Sequence, residues 1–340
     1  MAHSTIIKTP IREDEIRPDE LCPAHLEALA RDIERLKAQR AQFVTVACPA
    51  CGESSGTVRL EKHTFQYMSC AHCETLYMNP RPSSELMAGH YADSENYRYW
   101  VTHLFPASET KRRENIHRPR LDRIVSSCDE FGIPRNVLLE VGAGFGTFAA
   151  LAKETGAFDR VVAVEPTPEM AQACRNHSVQ VIEKSLEEIS AEIDQVDVAV
   201  AFEVIEHVFS PSRFLDQMAR LLRPGGLLVL TCPNGLGFDV MLLGSESHAV
   251  DPGHLNLFNP QSLTLLVQAR GFDVQEVDTP GQLDAELVHK AIEQKKFDVS
   301  RDLFLRRVLV DEWDRLGGAF QKFLADNGLS SHMWLAARRR

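Results

Sequence analysis

A short glycine-rich run constrains the fold of this 340-residue chain more than any other feature. The apolar residues 137–139 lead into Glu140-Val141-Gly142-Ala143-Gly144-Phe145-Gly146, and a helix-forming stretch, 147–151, follows. This order predicts a strand, a tight turn and a helix, because glycine adopts backbone conformations that are barred to residues with a Cβ. Glycine also lets the backbone approach a ligand closely, and turns of this kind usually bind nucleotides.

The acid directly before the glycines narrows the class of ligand. The pyrophosphate of a dinucleotide favours the positive end of a helix, and the carboxylate of Glu140 would oppose it. S-adenosylmethionine has no phosphate and carries an ammonium and a sulfonium group, which a carboxylate suits. The glycine spacing G-x-G-x-G also departs from the G-x-G-x-x-G of dinucleotide-binding domains. The turn therefore favours methyl transfer over hydride transfer, and a dehydrogenase is the disfavoured alternative.

Length, charge and hydropathy exclude several other classes. The chain is long enough for one large domain with an appendage, or for two domains. No apolar run approaches the roughly 20 residues that span a bilayer, and residues 1–5 lack the charged start and apolar core of a signal peptide. We therefore expect a cytoplasmic protein with no membrane partner. The net charge of -11 argues against a nucleic-acid surface spread over the whole molecule.

Strands and helices alternate from about residue 135 onward. The predicted strands are 136–141, 160–165, 179–183, 196–202, 227–232, 272–277 and 331–338. This alternation predicts an α/β fold with a Rossmann-like, mostly parallel sheet and helices on both faces. The stretch at about 280–329, before the last strand, has helical leucine, phenylalanine and tryptophan spacing. Long insertions at a sheet end are usually functional, so we expect a helical cover near the substrate.

Four of the eight cysteines form two knuckles near the N-terminus. Cys48, Cys51, Cys70 and Cys73 have the spacing C-x2-C-x18-C-x2-C, which matches one tetrahedral, structural Zn²⁺ rather than a redox pair. Four thiolates leave no open position for catalysis. His63 and His72 are spare ligands, although a solvent-facing role is favoured for both. We interpret the other cysteines as buried thiols.

Later strand ends supply further candidates for a cofactor site. Glu165 lies about 20 residues past the glycines, where a ribose-binding acid is expected, although it could also be a surface acid. Ser185 and Leu186 follow the third strand and could meet an adenine. The fourth strand runs through Phe202 into Glu203, and ligands in such sheets bind outside the carboxyl ends of the strands.

Five motifs together resemble the class I S-adenosylmethionine-dependent methyltransferases: E-V-G-A-G-F-G, A-V-E-P, F-E-V-I-E-H-V, L-R-P-G-G and H-L-N-L-F. The match covers residues 135–278. The resemblance implies a seven-stranded sheet whose last strand is antiparallel, with S-adenosyl-L-methionine as cofactor. The predicted cofactor-binding residues are Glu140, Gly142, Ala143, Gly144, Gly146, Glu165, Pro166, Ser185, Leu186, Phe202 and Glu203.

The segment Leu76–Pro82 resembles the linker of zinc-ribbon methyltransferases from bacterial sugar, polysaccharide and natural-product pathways. That resemblance implies O- or C-methylation of a sugar, a nucleotide-linked sugar or a natural-product intermediate. It places Tyr91, Tyr97 and Tyr99 where aromatics often cover the cofactor or substrate, with ordinary packing as the alternative. The predicted layout is a helical segment (1–42), a zinc ribbon (43–80), a helical linker or lid (81–134) and the methyltransferase domain (135–340).

Methyl transfer to a hydroxyl or an acidic carbon benefits from a base. The candidates are His254, His207, Glu203 and Glu206, and in similar sugar C-methyltransferases a histidine at the place of His254 is regarded as the base. Only the histidine of their Tyr-x-Glu-His run carries over, because Asp251 and Gly253 hold the other positions, which leaves O-methylation open. Either histidine could instead shape the site. The loop set Glu246, His248, Asp251 and His254 could hold a magnesium-like ion, although imidazoles suit that ion less than oxygens do.

A basic run breaks the acidic balance of the chain: Lys111, Arg112, Arg113, Arg118, Arg120 and Arg123. Such a run is usually a solvated helix face, but arginine also suits the phosphates of a nucleotide-linked substrate. Two other functions remain as alternatives, namely an RNA methyltransferase whose ribbon binds RNA and a non-catalytic S-adenosylmethionine-binding protein. The helix at 19–41 packs on its own domain, forms a homodimer contact or covers the active site.

Overall fold

The computed structural model describes residues 11–190 and 192–340, so residues 1–10 of the predicted N-terminal segment lie outside the described part. The strands are β1 (Phe43–Val44), β2 (Gly56–Lys62), β3 (Phe65–Cys70), β4 (Leu76–Met78), β5 (Arg81–Pro82), β6 (Val137–Val141), β7 (Arg160–Val164), β8 (Gln180–Ile182), β9 (Val196–Phe202), β10 (Leu222–Pro233), β11 (Asn256–Leu257), β12 (Phe272–Asp278) and β13 (His332–Arg339).

The α-helices are α1 (Glu13–Ile16), α2 (Cys22–Ala38), α3 (Ser84–Asp93), α4 (Glu95–Tyr99), α5 (Phe105–Arg112), α6 (Arg118–Phe131), α7 (Thr147–Glu154), α8 (Pro168–Asn176), α9 (Pro211–Leu221), α10 (Phe238–Leu243), α11 (Pro260–Ala269), α12 (Asp284–Glu293), α13 (Leu303–Arg306) and α14 (Trp313–Asp326). Two π-helical turns, Trp100–Leu104 and Arg113–His117, join α4, α5 and α6 into one nearly continuous helical segment. In the described residues no helix is both long and apolar enough to cross a membrane.

A seven-stranded sheet forms the centre of the molecule, in the order β12-β13-β10-β9-β6-β7-β8. Strand β13 runs antiparallel to both of its neighbours, and all other pairs are parallel. The predicted fold class is therefore confirmed, including the antiparallel last strand. The carboxyl ends of β6, β7 and β9 meet at one edge of the sheet, so the segments after Val141, Val164 and Phe202 lie close together.

The central strands are buried on both faces, which explains their nearly continuous apolar sequence. Leu138 and Leu139 of β6 and Val198 and Ala199 of β9 are all fully buried, and successive residues of each strand point into opposite faces. Helices therefore cover both faces, and the two sides form separate apolar clusters. A rigid sheet of this kind fixes the positions of the loops at its carboxyl edge.

The cysteine ribbon does not fold as a separate sheet. Its strands β2, β3 and β4 form an antiparallel sheet with β11, which comes from the chain between β10 and β12 of the α/β domain. Asn256 pairs with Tyr77 and Leu257 with Leu76, and the Met78 amide donates to the Leu255 carbonyl at 3.0 Å. The ribbon therefore holds a loop of the α/β domain directly, through backbone hydrogen bonds.

The predicted helical insertion before the last strand consists of α12, α13 and α14. Helix α12 packs on α10 and α14, and its Ala285 and Val288 are fully buried against Leu309 and Leu243. The N-terminal segment lies against the same helix, because Glu13 pairs with Lys290 at 3.0 Å. These elements form a wall above the carboxyl edge of the sheet.

Candidate active site

The glycine turn after β6 has the backbone conformation that its sequence demands. Gly142, Gly144 and Gly146 have φ of 71°, 55° and 82°, which side-chain-bearing residues rarely adopt. A Cβ at Gly142 would lie 2.5 Å from Val204 Cγ2, and one at Gly146 would lie 2.8 Å from Cys174 Sγ. Glycine is therefore required here both by conformation and by the close approach of neighbouring elements.

Glu140 lies below this turn with only 4% of its surface exposed. Its Oε2 atom has no hydrogen-bond partner in the described residues. Burial raises the pKa of Glu140 to about 8, against the opposing effects of the Ala149 amide and Arg120. A buried carboxyl with an unpaired oxygen is costly, and a cationic ligand at the turn would remove that cost.

Glu165 braces the same turn from the end of β7. Its Oε2 atom accepts from the Gly144 amide and its Oε1 atom from the Thr167 amide, each at 2.9 Å. Burial raises the pKa of Glu165, and these amides act in the opposite direction. A carboxylate has about four lone-pair sites, so each oxygen can still accept a hydrogen bond from a ligand hydroxyl.

One cavity of about 3190 Å³ joins the glycine turn to the rest of the sheet edge. Every predicted cofactor-binding residue lines it, as do His207 and His254. The residues of the basic run fall into two groups. Four of them line the cavity, namely Arg112, Arg118, Arg120 and Arg123. The other two form ion pairs, Lys111 with Glu15 and Arg113 with Glu154. Helix α12 and residues 11–17 contribute the opposite wall. The cofactor candidates and the base candidates therefore share one space.

The two histidine candidates lie side by side, with ring centroids 4.7 Å apart. His207 Nδ1 lies 2.9 Å from the Gly253 carbonyl, and His254 Nδ1 lies 2.8 Å from the Ala249 carbonyl. A carbonyl oxygen can only accept, so each Nδ1 carries the proton and each Nε2 keeps a free lone pair. Burial and the neighbouring His254 lower the pKa of His207 to about 3, so its imidazole is neutral at physiological pH.

Glu206 completes this group. Its carboxyl is 1% exposed, and neither oxygen has a hydrogen-bond partner among residues 11–190 and 192–340. Burial raises the pKa of Glu206 well above its ordinary value, and Glu203 adds to the rise. One of its oxygens lies 3.9 Å from His207 Nε2, beyond hydrogen-bond length.

Glu203 occupies a different environment from its neighbour. Its Oε1 atom accepts from Thr231 at 2.7 Å, His332 at 2.8 Å and Arg120 at 3.1 Å. Burial opposes ionisation, but the adjacent His332 and Arg120 hold the pKa of Glu203 well below its ordinary value. Its φ of 55° is unusual for a residue with a side chain. Glu203 is thus an ionised, fixed group at the cavity wall, which makes it a poor proton acceptor.

Two residues that the sequence reasoning did not assign hold the histidines together. Asn256 is fully buried, and its side-chain amide donates to the carbonyl of Val208 at 2.8 Å and to those of Ile205 and Glu206 at 3.3 Å. Its oxygen accepts from Arg81 of the ribbon linker at 2.9 Å. Asn256 stands in the H-L-N-L-F motif, but no spacing rule indicated that its amide would reach the turn after β9.

The three tyrosines after the ribbon differ in position. Tyr91 contacts His207 Nδ1 at 2.8 Å and donates to the Gly253 carbonyl at 3.2 Å. Tyr97 also lines the cavity and lies near Glu165, which contributes to its raised pKa after the larger effect of burial. Tyr99 stacks on His103, with ring centroids 4.4 Å apart.

The predicted loop set for a magnesium-like ion does not form one cluster. His248 Nδ1 lies 3.5 Å from Arg17 and 4.0 Å from Glu13, and Asp251 Oδ1 accepts from the Gly253 amide at 2.8 Å. His254 alone of that set belongs to a group of neighbouring metal-ligating side chains in the described chain, and its neighbours there are Glu206 and His207.

The four ribbon cysteines come together as their spacing predicts. Their sulfurs all lie within 4.8 Å of one another, and three of the pairs are separated by 3.5 Å (Cys48–Cys73 and Cys51–Cys73) and 3.6 Å (Cys51–Cys70). Zn–S bonds of about 2.3 Å in a tetrahedron place sulfurs roughly 3.8 Å apart. The cluster therefore fits a four-thiolate metal site with no open position.

Comparison with known proteins agrees with this architecture. A family model described as "Methyltransferase domain" matches residues 104–277, just over half of the chain. A Mycolicibacterium smegmatis protein named "Probable S-adenosylmethionine-dependent methyltransferase" is 31% identical over 41% of this chain and 52% of its own length. The "Ubiquinone biosynthesis O-methyltransferase" of Xanthomonas campestris is 28% identical over 50% of this chain and 73% of its own.

The chain spans about half the length of the first curated relatives it matches. A solved structure described as a SAM dependent methyltransferase from Archaeoglobus fulgidus has a TM-score of 0.47 and 18% identity, covering 70% of this chain and all of that one. The family match includes the glycine turn, Glu165 and the segment with Glu206 and His207. The chain therefore belongs to the methyltransferase-domain family, and its α/β domain is a class I S-adenosylmethionine-dependent methyltransferase domain.

Proposed function

We propose that this protein transfers the methyl group of S-adenosylmethionine to a small molecule bound beside His207 and His254. The observation that carries the proposal is the buried carboxyl of Glu140, which has an unpaired oxygen at a glycine turn that opens into the same cavity as the two histidines. The ammonium and sulfonium of the cofactor would compensate that carboxylate. The predicted cofactor residues, including Ser185, Leu186 and Phe202, would hold the remainder of the molecule.

The acceptor atom that the site favours is a hydroxyl oxygen. In the resembling C-methyltransferases a tyrosine and a glutamate accompany the histidine, but here Asp251 and Gly253 occupy those places and serve the loop itself. The name of the Xanthomonas relative states O-methylation, which supports the same choice. We propose a sugar, a nucleotide-linked sugar or a natural-product intermediate as the acceptor class.

Methyl transfer is an in-line displacement, and different residues of the chain would bind the cofactor, position the acceptor and accept the proton. The cofactor supplies an electrophilic methyl group on a positively charged sulfur. The glycine turn and Glu140 would hold that end of the cofactor, and the cavity walls would position the acceptor beside it, a positioning from which much of the rate acceleration of such reactions derives. His254 Nε2 is free to accept the hydroxyl proton, whereas the low pKa of His207 makes it a weaker base.

A phosphorylated acceptor could be bound by Arg112, one of the four arginines of the basic run that line the cavity. Arg120 pairs with Glu203 and Arg123 with Asp278, so these two are neutralised. The Arg112 guanidinium instead donates to the Ser108 hydroxyl and the Ile16 carbonyl and lies over the ring of Trp100. It is paired with no carboxylate in the described residues, which supports a nucleotide-linked substrate.

We also propose that the ribbon holds one structural zinc ion. Cys48, Cys51, Cys70 and Cys73 supply the four thiolates, and the near-tetrahedral sulfur separations support the assignment. The ribbon would then stabilise the loop that carries His254 through β4 and β11.

Calorimetry with S-adenosylmethionine and with NAD tests the cofactor assignment. We expect the first to bind and the second not, and binding of NAD alone would refute the proposal. Incubation of the protein with labelled S-adenosylmethionine and a panel of nucleotide-linked sugars, free sugars and phenols, followed by mass spectrometry, tests the acceptor class. RNA retention that survives high salt would favour the RNA methyltransferase instead.

A further inference from the structure

Beyond the ribbon, the structure brings together a second group of metal-ligating side chains. Glu206, His207 and His254 each place one potential ligand atom within 4.8 Å of the other two. Glu206 and His207 lie in the turn after β9, and His254 lies in the loop before β11. Asn256 joins the two segments, because its amide donates to three carbonyls of that turn. The group is therefore held by both segments and faces the cavity.

The hydrogen bonds of the two imidazoles are those of metal ligands. Histidine ligands commonly donate their second ring N–H to a carbonyl or carboxylate, which fixes the tautomer and directs the other nitrogen at the ion. His207 Nδ1 donates to the Gly253 carbonyl and His254 Nδ1 to the Ala249 carbonyl. Both Nε2 lone pairs consequently remain available for a ligand.

The environment of the Glu206 carboxyl is independent evidence for a cation at this site. The carboxyl is 99% buried, and neither oxygen receives a hydrogen bond in the described part of the chain. Burying a carboxyl without partners is costly, and no lysine or arginine of the described residues forms an ion pair with it. A cation between Glu206 and the two Nε2 atoms would satisfy it.

The separations suit ordinary metal–ligand bonds. Nitrogen and oxygen ligands bind first-row ions at about 2.0–2.2 Å, which places neighbouring ligand atoms roughly 3–4 Å apart. His207 Nε2 and the nearer Glu206 oxygen are 3.9 Å apart. Two imidazoles and one carboxylate with open positions suit divalent first-row transition metals, whereas Mg²⁺ and Ca²⁺ prefer oxygen ligands.

We infer that Glu206, His207 and His254 bind one divalent first-row transition-metal ion whose open coordination positions face the acceptor side of the cavity. This inference rests on the proposed function for its chemical meaning. The hydroxyl of the acceptor binds the ion and loses its proton to water in the cavity, since a bound cation acidifies the oxygen it holds. That oxygen forms the new bond to the methyl carbon, while the S–C bond breaks and sulfur keeps its electron pair. His254 then acts as a ligand in place of a base.

Titration with Co²⁺ of protein that carries one zinc ion per chain, in the ribbon, tests the site without requiring turnover. Thiolate ligands select Zn²⁺, so the ribbon keeps its zinc and Co²⁺ reports on the second site. We expect one equivalent to bind and to produce visible bands without thiolate charge transfer. Glu206→Gln and His254→Ala should each weaken Co²⁺ binding at least about tenfold, a loss that even supporting residues of metal sites can cause.

His248→Ala is the matched control, because His248 lies in the same loop as His254 and is not part of the cluster. Its Co²⁺ affinity should be unchanged, and a loss there would assign the ion to the loop set and overturn the inference. No stoichiometric Co²⁺ binding, or an unchanged affinity in either Glu206→Gln or His254→Ala, would also overturn it. S-adenosylmethionine affinity, measured on the same samples, should be retained by all variants and reports on folding.

The same two titrations separate this inference from the proposed function. Cofactor binding without Co²⁺ binding removes the metal site and leaves the methyltransferase proposal standing. Co²⁺ binding without cofactor binding leaves the metal site standing. It refutes the proposed function, together with the chemistry assigned to the ion.

Discussion

The proposed cofactor end and the proposed acceptor end of the cavity are built in different ways. The cofactor end is assembled from neighbouring strand ends of one sheet, namely Glu140 and the glycine turn after β6 and Glu165 after β7. The acceptor end combines Tyr91 from α3, His207 from the turn after β9 and His254 from a loop that is paired with the ribbon. The first depends on local sequence and a standard sheet, and the second on contacts between segments far apart in the chain.

Because of this difference, a substitution at one end of the cavity should have little effect on the structure of the other end. A change in the ribbon can displace His254 while the glycine turn stays in place, because within residues 11–190 and 192–340 no ribbon strand pairs with the central sheet. A change at Glu140 can weaken the cofactor without moving the histidines. A variant at the acceptor end should therefore leave cofactor affinity unchanged, and a variant at the cofactor end should leave turnover at saturating cofactor nearly unchanged.

The largest expected effect is at the acceptor end. His254→Ala removes either a proton acceptor or a metal ligand, so turnover should fall about 10²–10⁴-fold, the usual contribution of a general base. S-adenosylmethionine affinity, measured by calorimetry, should change less than about threefold. Full activity would remove His254 from the chemistry, and a large loss of cofactor affinity would show that the two ends are not separate.

The ribbon variant Cys70→Ser tests the long-range contact. One thiolate of the proposed zinc site is lost, so zinc content should fall by about one ion per chain. Turnover should fall roughly hundredfold, because a displacement of about 1 Å near the reacting atoms can cost that much. Cofactor affinity should remain close to that of the unaltered protein.

His72→Ala is the control for the ribbon. His72 lies between Cys70 and Cys73 but is exposed, so zinc content and turnover should both be unchanged. If Cys70→Ser loses cofactor affinity in parallel with zinc, the ribbon supports the whole domain and the proposed separation of the two ends is wrong.

The arrangement of residues at the proposed cofactor end could be predicted from the sequence better than that at the proposed acceptor end, for a physical reason. Strand, glycine turn and carboxylate are adjacent in sequence, so the pattern around Gly142 contains the geometry, and the fold class follows from alternating strands and helices. Glu206, His207 and His254 are brought together by Asn256 and Arg81, whose side-chain hydrogen bonds span 48 to 175 positions. Periodicity carries no information about contacts of that length.

The loop set for a metal ion illustrates the same limit. Glu246, His248, Asp251 and His254 are close in sequence, which suggested a shared site. The loop instead directs His248 toward Arg17 and uses Asp251 to receive the Gly253 amide. The acid that joins His254 in space is Glu206, from another segment.

Glu140→Gln tests the cofactor end. The amide keeps the shape but loses the charge, so S-adenosylmethionine should bind about 10–100-fold more weakly, which corresponds to one hydrogen bond to a charged group. Turnover at saturating cofactor should change much less. A larger loss of turnover than of affinity would place Glu140 in the transition state as well.

The raised pKa of Glu140 gives this end a pH dependence. Because the pKa is about 8 against an ordinary 4.5, the carboxyl is protonated at neutral pH in the unliganded protein and must lose that proton to meet a cation. Cofactor affinity should rise with pH up to about 8, by at most about tenfold for each unit, and then level off. The affinity of Glu140→Gln should not show this rise.

The stability of the unliganded protein should change in the opposite direction. A carboxyl whose pKa is raised on folding contributes stability that is complete below its unfolded value and is lost as pH rises through the folded value. The contribution of Glu140 should therefore decline between about pH 4.5 and pH 8. Denaturant titrations of the unaltered protein and Glu140→Gln across that range measure the difference, and parallel curves would contradict it.

The smallest effect is expected at the contact that joins α3 to the histidines. Tyr91→Phe removes the hydroxyl that lies 2.8 Å from His207 Nδ1 and 3.2 Å from the Gly253 carbonyl. The 2.9 Å bond from His207 to that carbonyl remains, so the ring keeps its tautomer and loses one neutral hydrogen bond. Such bonds contribute about 0.5–1.5 kcal/mol, which predicts a fall in kcat/KM of roughly threefold to tenfold with unchanged cofactor affinity. Tyr99→Phe is the matched control, since Tyr99 stacks on His103, and an equal loss there would mean that the helical segment, rather than the hydroxyl of Tyr91, orders the acceptor end.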